Sequence, residues 1–199
     1  MLEQSIEQQF IDSADLKYQV GPLLSKPIAA AVQALLSCVT SGGKVLACGN
    51  GPAGAVAQAF VAAFVGRFER ERPGLGALAL SADSTLLTAI SGNYDFSAGF
   101  ARQVSALGQA GDVLLAVTTG GNSPNVVAAI EAAHERDMTV LALTGRGGGQ
   151  AGRLLRETDI HISVPHERSA RILEVHQLAL HCMVEGVDNQ LLGEQEAST

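Results

Sequence analysis

VLLAVTTGGNSPNVVAAIEAA, Val113 to Ala133, decides the fold. An apolar run, Val113 to Val117, meets a hydroxyl- and glycine-rich turn, Thr118-Thr119-Gly120-Gly121-Asn122-Ser123. A helical pattern starts at once, with Pro124 at its first position. A buried strand thus hands over to a helix through a loop of small donors. Gly120 and Gly121 leave the backbone open to a ligand. Amides at a helix start are unpaired and carry partial positive charge, so they hold a phosphate without lysine or arginine. Thr118, Thr119 and Ser123 add hydroxyl donors, and Asn122 an amide. The plainer reading is a strand-to-helix turn capped by Ser123 or Asn122.

A second loop of the same kind supports the ligand reading. Lys44 to Cys48 reads as a buried strand running into Gly49-Asn50-Gly51-Pro52-Ala53-Gly54. The spacing predicts a helix over 53–67. Parallel strands present their carboxyl-end loops on one edge, and ligands bind there where strand order reverses. Asn50 and Gly51 from one loop and Thr118 to Ser123 from the other can close over one small anion. The first loop lacks the Gly-Lys-Ser/Thr of a P-loop and matches GxGxxG poorly.

Around these loops the pattern alternates. Strands are expected at 44–48, 77–80, 113–117, 139–143 and 159–163. Helices are expected at 84–91, 97–107, 124–135, 149–156 and 167–190. Two further helices, Ser5 to Val20 and Leu24 to Thr40, read as joined at Gly21-Pro22. This order predicts one three-layer α/β domain with a parallel sheet. N-terminal helices occupy 1–41, the core 42–192 and an acidic tail 193–199. The 199 residues, 47% hydrophobic and 17% charged, suffice for such a core. A net charge of −7 argues against general nucleic-acid binding. Cys38, Cys48 and Cys182 lack metal or disulfide spacing, so no metal site is expected. Met1 to Gln9 does not read as a signal peptide, so the expected location is the cytoplasm. Only Gln58 is polar between Ala53 and Val65, which predicts a helix buried on every face, its far side in a subunit interface. The alternating charges of Arg67 to Pro73 read as a solvated helix end.

CGNGPAG (48–54), RFERERPGLGALAL (67–80), LGQAGDVLLAVTTGGNS (107–123), ALTGRGGGQAG (142–152) and HERSARILEVHQLALHCMVEGVDNQLL (166–192) together resemble the SIS (sugar isomerase) domain family. The resemblance implies a flavodoxin-like fold with a five-stranded parallel sheet, and N-terminal helices used in forming a homotetramer. It also implies a sugar-phosphate ligand on Asn50, Gly51, Thr118, Thr119, Asn122 and Ser123. Within the family, two groups are similar to this chain. One comprises phosphoheptose isomerases, which convert sedoheptulose phosphate to a heptose phosphate for lipopolysaccharide synthesis. The other comprises non-catalytic factors that associate with the DnaA replication initiator.

Aldose–ketose isomerisation needs a base and an acid. The isomerase pattern places a His and two Glu where this chain has Ala59, Ala62 and Ala63. On the last helix it places an Asp and a Gln where this chain has Ala170 and Leu173, while His176 and His181 remain. Five residues apart, those histidines project about 140° apart and make a poor ligand pair. His176 lies on an apolar stripe and reads as a buried core histidine. The expectation from these losses is a non-catalytic DnaA-associating factor that promotes timely replication initiation, without cofactor. Leu191 and Leu192 before the acidic tail would be its anchor for the initiator. The alternative is a phosphoheptose isomerase, with His181 as the acid/base and zinc as cofactor. Glu174 is a weaker candidate for the base.

Overall fold

The computed structural model describes residues 1–193; the proposed acidic tail from 194 onward lies outside them. Five parallel strands, β1 (Val45–Gly49), β2 (Ala77–Ala79), β3 (Val113–Val117), β4 (Thr139–Gly145) and β5 (Ile160–Val164), form one sheet in the order β2-β1-β3-β4-β5. β1 and β3 are buried throughout, as expected of strands covered on both faces. In register, Val45 faces Val113 and Gly49 faces Val117. Strand order reverses between β1 and β3, so their carboxyl-end loops flank the crevice of a doubly wound sheet.

Helices cover both faces: α1 (Leu2–Thr40), α2 (Pro52–Val65), α3 (Ser84–Asn93), α4 (Ala98–Leu107), α5 (Pro124–Glu135), α6 (Gly149–Leu154) and α7 (Ser169–Leu192). One core lies beneath α1, α2 and α7, and a second beneath α4 and α5. At the sheet's opposite edge, buried Asp112 accepts from the Lys44 amide (2.9 Å), the Lys44 ammonium (2.5 Å) and the Gln109 amide (2.9 Å). This clasp ties the start of β1 to that of β3 and helps fix their register.

Three sequence expectations change. The N-terminal helices are one, α1, which runs through Gly21, Pro22 and Pro27. Each proline frees a carbonyl four residues back. Pro22 is exposed and Pro27 half-buried, so water can reach that side. Buried Leu16, Val20, Leu24 and Leu35 keep the helix together against the core. By length and composition α1 is apolar enough to cross a membrane, and 28% of that apolar window is buried within the chain.

The second change is at Arg72. It is buried and donates to Asp188 on α7 (2.5 Å) and to the Phe64 (2.8 Å) and Ala63 (2.9 Å) carbonyls. The arginine-rich run is thus partly a buried cap on the end of α2. Third, α7 runs to Leu192, two residues past its expected end at 190, and its Asp188 faces inward. Within the chain α2 is buried on one face, and the far side expected at a subunit interface is uncovered. Phe60 and Phe64 stack at 4.8 Å inside the chain's own core, whereas Ala55, Ala59, Ala62 and Val65 are exposed.

Candidate functional site: the crevice between β1 and β3

α2 and α5 both begin at this crevice, and each has a proline in its first turn. Their positive dipole ends therefore point at the same space. Asn50 and Asn125 lock the two loops together. Each side-chain amide donates to the other's carbonyl at 2.8 Å, and Asn125 is buried. Two such bonds contribute about 1 kcal/mol each. Asn125 was missed at the sequence level, although a buried polar residue in the first turn of an apolar helix was its signal.

The turn after β3 is held from within. Thr118 is buried and its hydroxyl accepts from the Gly121 amide (3.2 Å). The Asn122 carbonyl accepts from the Gln150 amide (2.9 Å), and its amide donates to the Gly120 carbonyl (3.0 Å). The Ala151 amide donates to the Gly121 carbonyl (2.8 Å). Asn122 thus fastens the turn to the start of α6. Gly121 has φ +68°, and a Cβ there would lie 1.8 Å from the Gly148 carbonyl oxygen, so only glycine fits. Ser123 caps α5 with its backbone, and its hydroxyl makes no cap bond. That leaves it for a ligand, beside the amides of Gly120, Asn122 and Ser123, which make no backbone hydrogen bond among the described residues. Gly51, exposed at φ +50°, opens α2 on the other side.

Three further residues complete the wall. The Ser169 hydroxyl donates to that of Thr119 (3.3 Å) and accepts from Arg146 (3.0 Å). Arg146 also donates to the Glu167 carbonyl (2.9 Å). The loop after β4 therefore brings a guanidinium to the turn after β3, which spacing within either segment does not reveal.

The candidate acid/base groups lie apart from this turn. His176 is fully buried and donates from Nε2 to the Thr144 carbonyl (2.9 Å), while its Nδ1 has no partner. Burial lowers its pKa to about 4, the bond to Thr144 opposing. It is the core histidine its stripe predicts. His181 is exposed, its ring tilted over Phe68 at 5.3 Å, and its Nε2 accepts from Gln177 (2.7 Å). At Glu174 burial opposes ionisation. Hydrogen bonds from Ser13 and Arg171 and the charges of Arg171 and Lys17 outweigh it and hold the carboxyl below its ordinary value. Glu174 is committed to Arg171 and Ser13 rather than free as a base. Among the described residues no three His, Cys, Asp or Glu side chains converge to hold a metal ion. The side chains of this chain alone therefore do not fit zinc, which binds through three or four such ligands.

Comparison with known proteins gives one family. The SIS domain matches residues 9–145. The phosphoheptose isomerase of Methylibium petroleiphilum is 66% identical over 196 residues, covering 98% of each chain. That of Azoarcus sp. is 53% identical, covering 96% of this chain and 97% of its own. Among solved structures, the phosphoheptose isomerase of Neisseria gonorrhoeae superposes with a TM-score of 0.90 at 44% identity, over 95% of this chain and 100% of that one.

These findings overturn the DnaA-associating assignment. The last-helix segment, 166–192, falls within the match to a protein named phosphoheptose isomerase. Missing acid/base residues bear on turnover and say nothing about an initiator. Leu191 and Leu192 are 39% and 42% exposed, and no comparison gives them a partner. A family-wide sequence match, a doubly wound parallel sheet and relatives aligned end to end agree: the chain belongs to the SIS domain family.

Proposed function

We propose that this chain binds a sugar phosphate as a cytoplasmic protein of the phosphoheptose isomerase group, with aldose–ketose isomerisation of a seven-carbon sugar phosphate as its reaction class. The observation that carries the reading is the open turn at the switch point. Its unpaired amides and Ser123 hydroxyl belong to the turn that the Asn50–Asn125 bridge ties to the start of α2. The phosphate sits on Gly120 to Ser123, and Thr119, Asn50 and Gly51 border the sugar. Relatives 66% and 53% identical, both named phosphoheptose isomerase, support the substrate class.

Isomerisation moves a proton between neighbouring carbons, and His181 is the candidate to carry it on this reading. It is the exposed histidine of α7, with its Nε2 held by the Gln177 side-chain amide at 2.7 Å. The exposed apolar side of α2 (Ala55, Ala59, Ala62) and of α1 (Ile6, Phe10, Leu23) supports assembly into a homotetramer. One observation favours a second reading, binding without turnover. α2 presents alanine at 59, 62 and 63, and alanine takes no proton.

Turnover of sedoheptulose 7-phosphate, with and without zinc, beside calorimetry of the same ligand, separates the readings. Isomerisation lost in His181→Ala with binding retained supports the first. Binding without turnover selects the second. Absence of both overturns the proposal.

A further inference from the structure

The Arg146 guanidinium is arranged for a ligand rather than for the fold. Its backbone has φ +51°, in the left-handed region that a non-glycine residue adopts at a cost. The side chain is 43% exposed yet held in one direction. Nε donates to the Glu167 carbonyl (2.9 Å) and one terminal nitrogen to the Ser169 hydroxyl (3.0 Å). The other terminal nitrogen lies 3.9 Å from where a Cβ on Gly120 would stand. Glycine at 120 therefore leaves the guanidinium an open approach to the turn. The nearby carboxylate, Glu167, is 3.9 Å away and 87% exposed, an ion pair worth little in water.

Turn amides and a serine hydroxyl supply partial charges only. A phosphomonoester dianion brings two full ones, and a guanidinium fork matches its oxygens in a paired geometry. We infer that Arg146 binds the phosphate of the ligand directly, from above Gly120, with Ser169 positioning its fork. This rests on the sugar-phosphate reading above and adds to it the residue that supplies the full positive charge. The ligand it selects is a phosphomonoester rather than a neutral sugar.

The test is calorimetry of sedoheptulose 7-phosphate, inorganic phosphate and unphosphorylated sedoheptulose on the assembled protein. Wild type binds the first two in preference to the third. Arg146→Asn removes the cation but tolerates the left-handed backbone, so the thermal midpoint stays near that of wild type. It weakens both phosphate ligands by about tenfold or more, the loss of one charge-assisted hydrogen bond. Arg146→Lys restores part of the affinity, because charge returns without the fork. Ser169→Ala weakens binding less than Arg146→Asn. Wild-type affinity in Arg146→Asn, with wild type itself binding phosphate, overturns the role of Arg146 and leaves the sugar-phosphate reading intact. Failure of wild type to bind either phosphate ligand overturns that reading, and this inference with it.

Discussion

His176 carries its imidazole into the core with one nitrogen bonded to Thr144 and the other unpartnered. Thr144 offers a carbonyl, which only accepts, so the proton sits on Nε2 and the buried Nδ1 resists a second. In the unfolded chain His176 takes up a proton near pH 6.5, in the fold only near pH 4. Between those values the unfolded state binds more protons, so stability falls as pH falls through that window. The contribution is on the order of 3 kcal/mol. His176→Gln should flatten the dependence between pH 6.5 and 4, as read by urea unfolding. An unchanged slope would place the proton uptake elsewhere. Asp188 poses the complementary case, a buried carboxylate beside a buried Arg72. Asp188→Ala leaves that arginine uncompensated and should cost about 3–5 kcal/mol in chemical denaturation. The periodicity of α7 identified His176 as a core residue. It could not identify Arg72 and Asp188 as partners, because they lie 116 residues apart and only the fold brings them together.

At the level of elements, the strand-to-helix handovers were the most legible feature of the chain. β3 and α5 fall on the bounds their patterns predict, since a buried strand, a glycine turn and a first-turn proline each leave a local signature. α1 was misdivided because Gly21-Pro22 is a local breaker, whereas the contacts that override it come from α7. The site was legible only in part for a related reason. The turn itself can be read from the sequence. What braces it comes from other elements: Asn125 against Asn50, Gln150 against Asn122, and Arg146 through Ser169 against Thr119. Gly121 is where two of these elements touch. Gly121→Ala combines a positive φ with a clash against the Gly148 carbonyl, and should cost about 2 kcal/mol or more while abolishing phosphate binding. Thermal unfolding with and without ligand checks both parts, and a fully stable variant would contradict the packing described.

Over the whole molecule, apolar surface is divided between two inner cores and an outer face that one chain does not cover. Phe60 and Phe64 belong to the inner set, so a charge there attacks folding rather than assembly. Ala59 and Ala62 belong to the outer set. Ala62→Glu should therefore leave the circular dichroism spectrum intact and lower the mass seen by light scattering. A wild-type mass of a single chain would refute assembly through this face.

The proposed phosphate site lies where strand order reverses. Amide chemical shifts recorded during a titration with sedoheptulose 7-phosphate test that placement most directly. The expected result is saturable movement of Gly120, Asn122, Ser123 and Asn125, with a smaller response at Gly51, and near silence in the apolar groove lined by Val20, Leu24, Ile28 and Leu178. Shifts confined to that groove, or none at millimolar ligand, would contradict it.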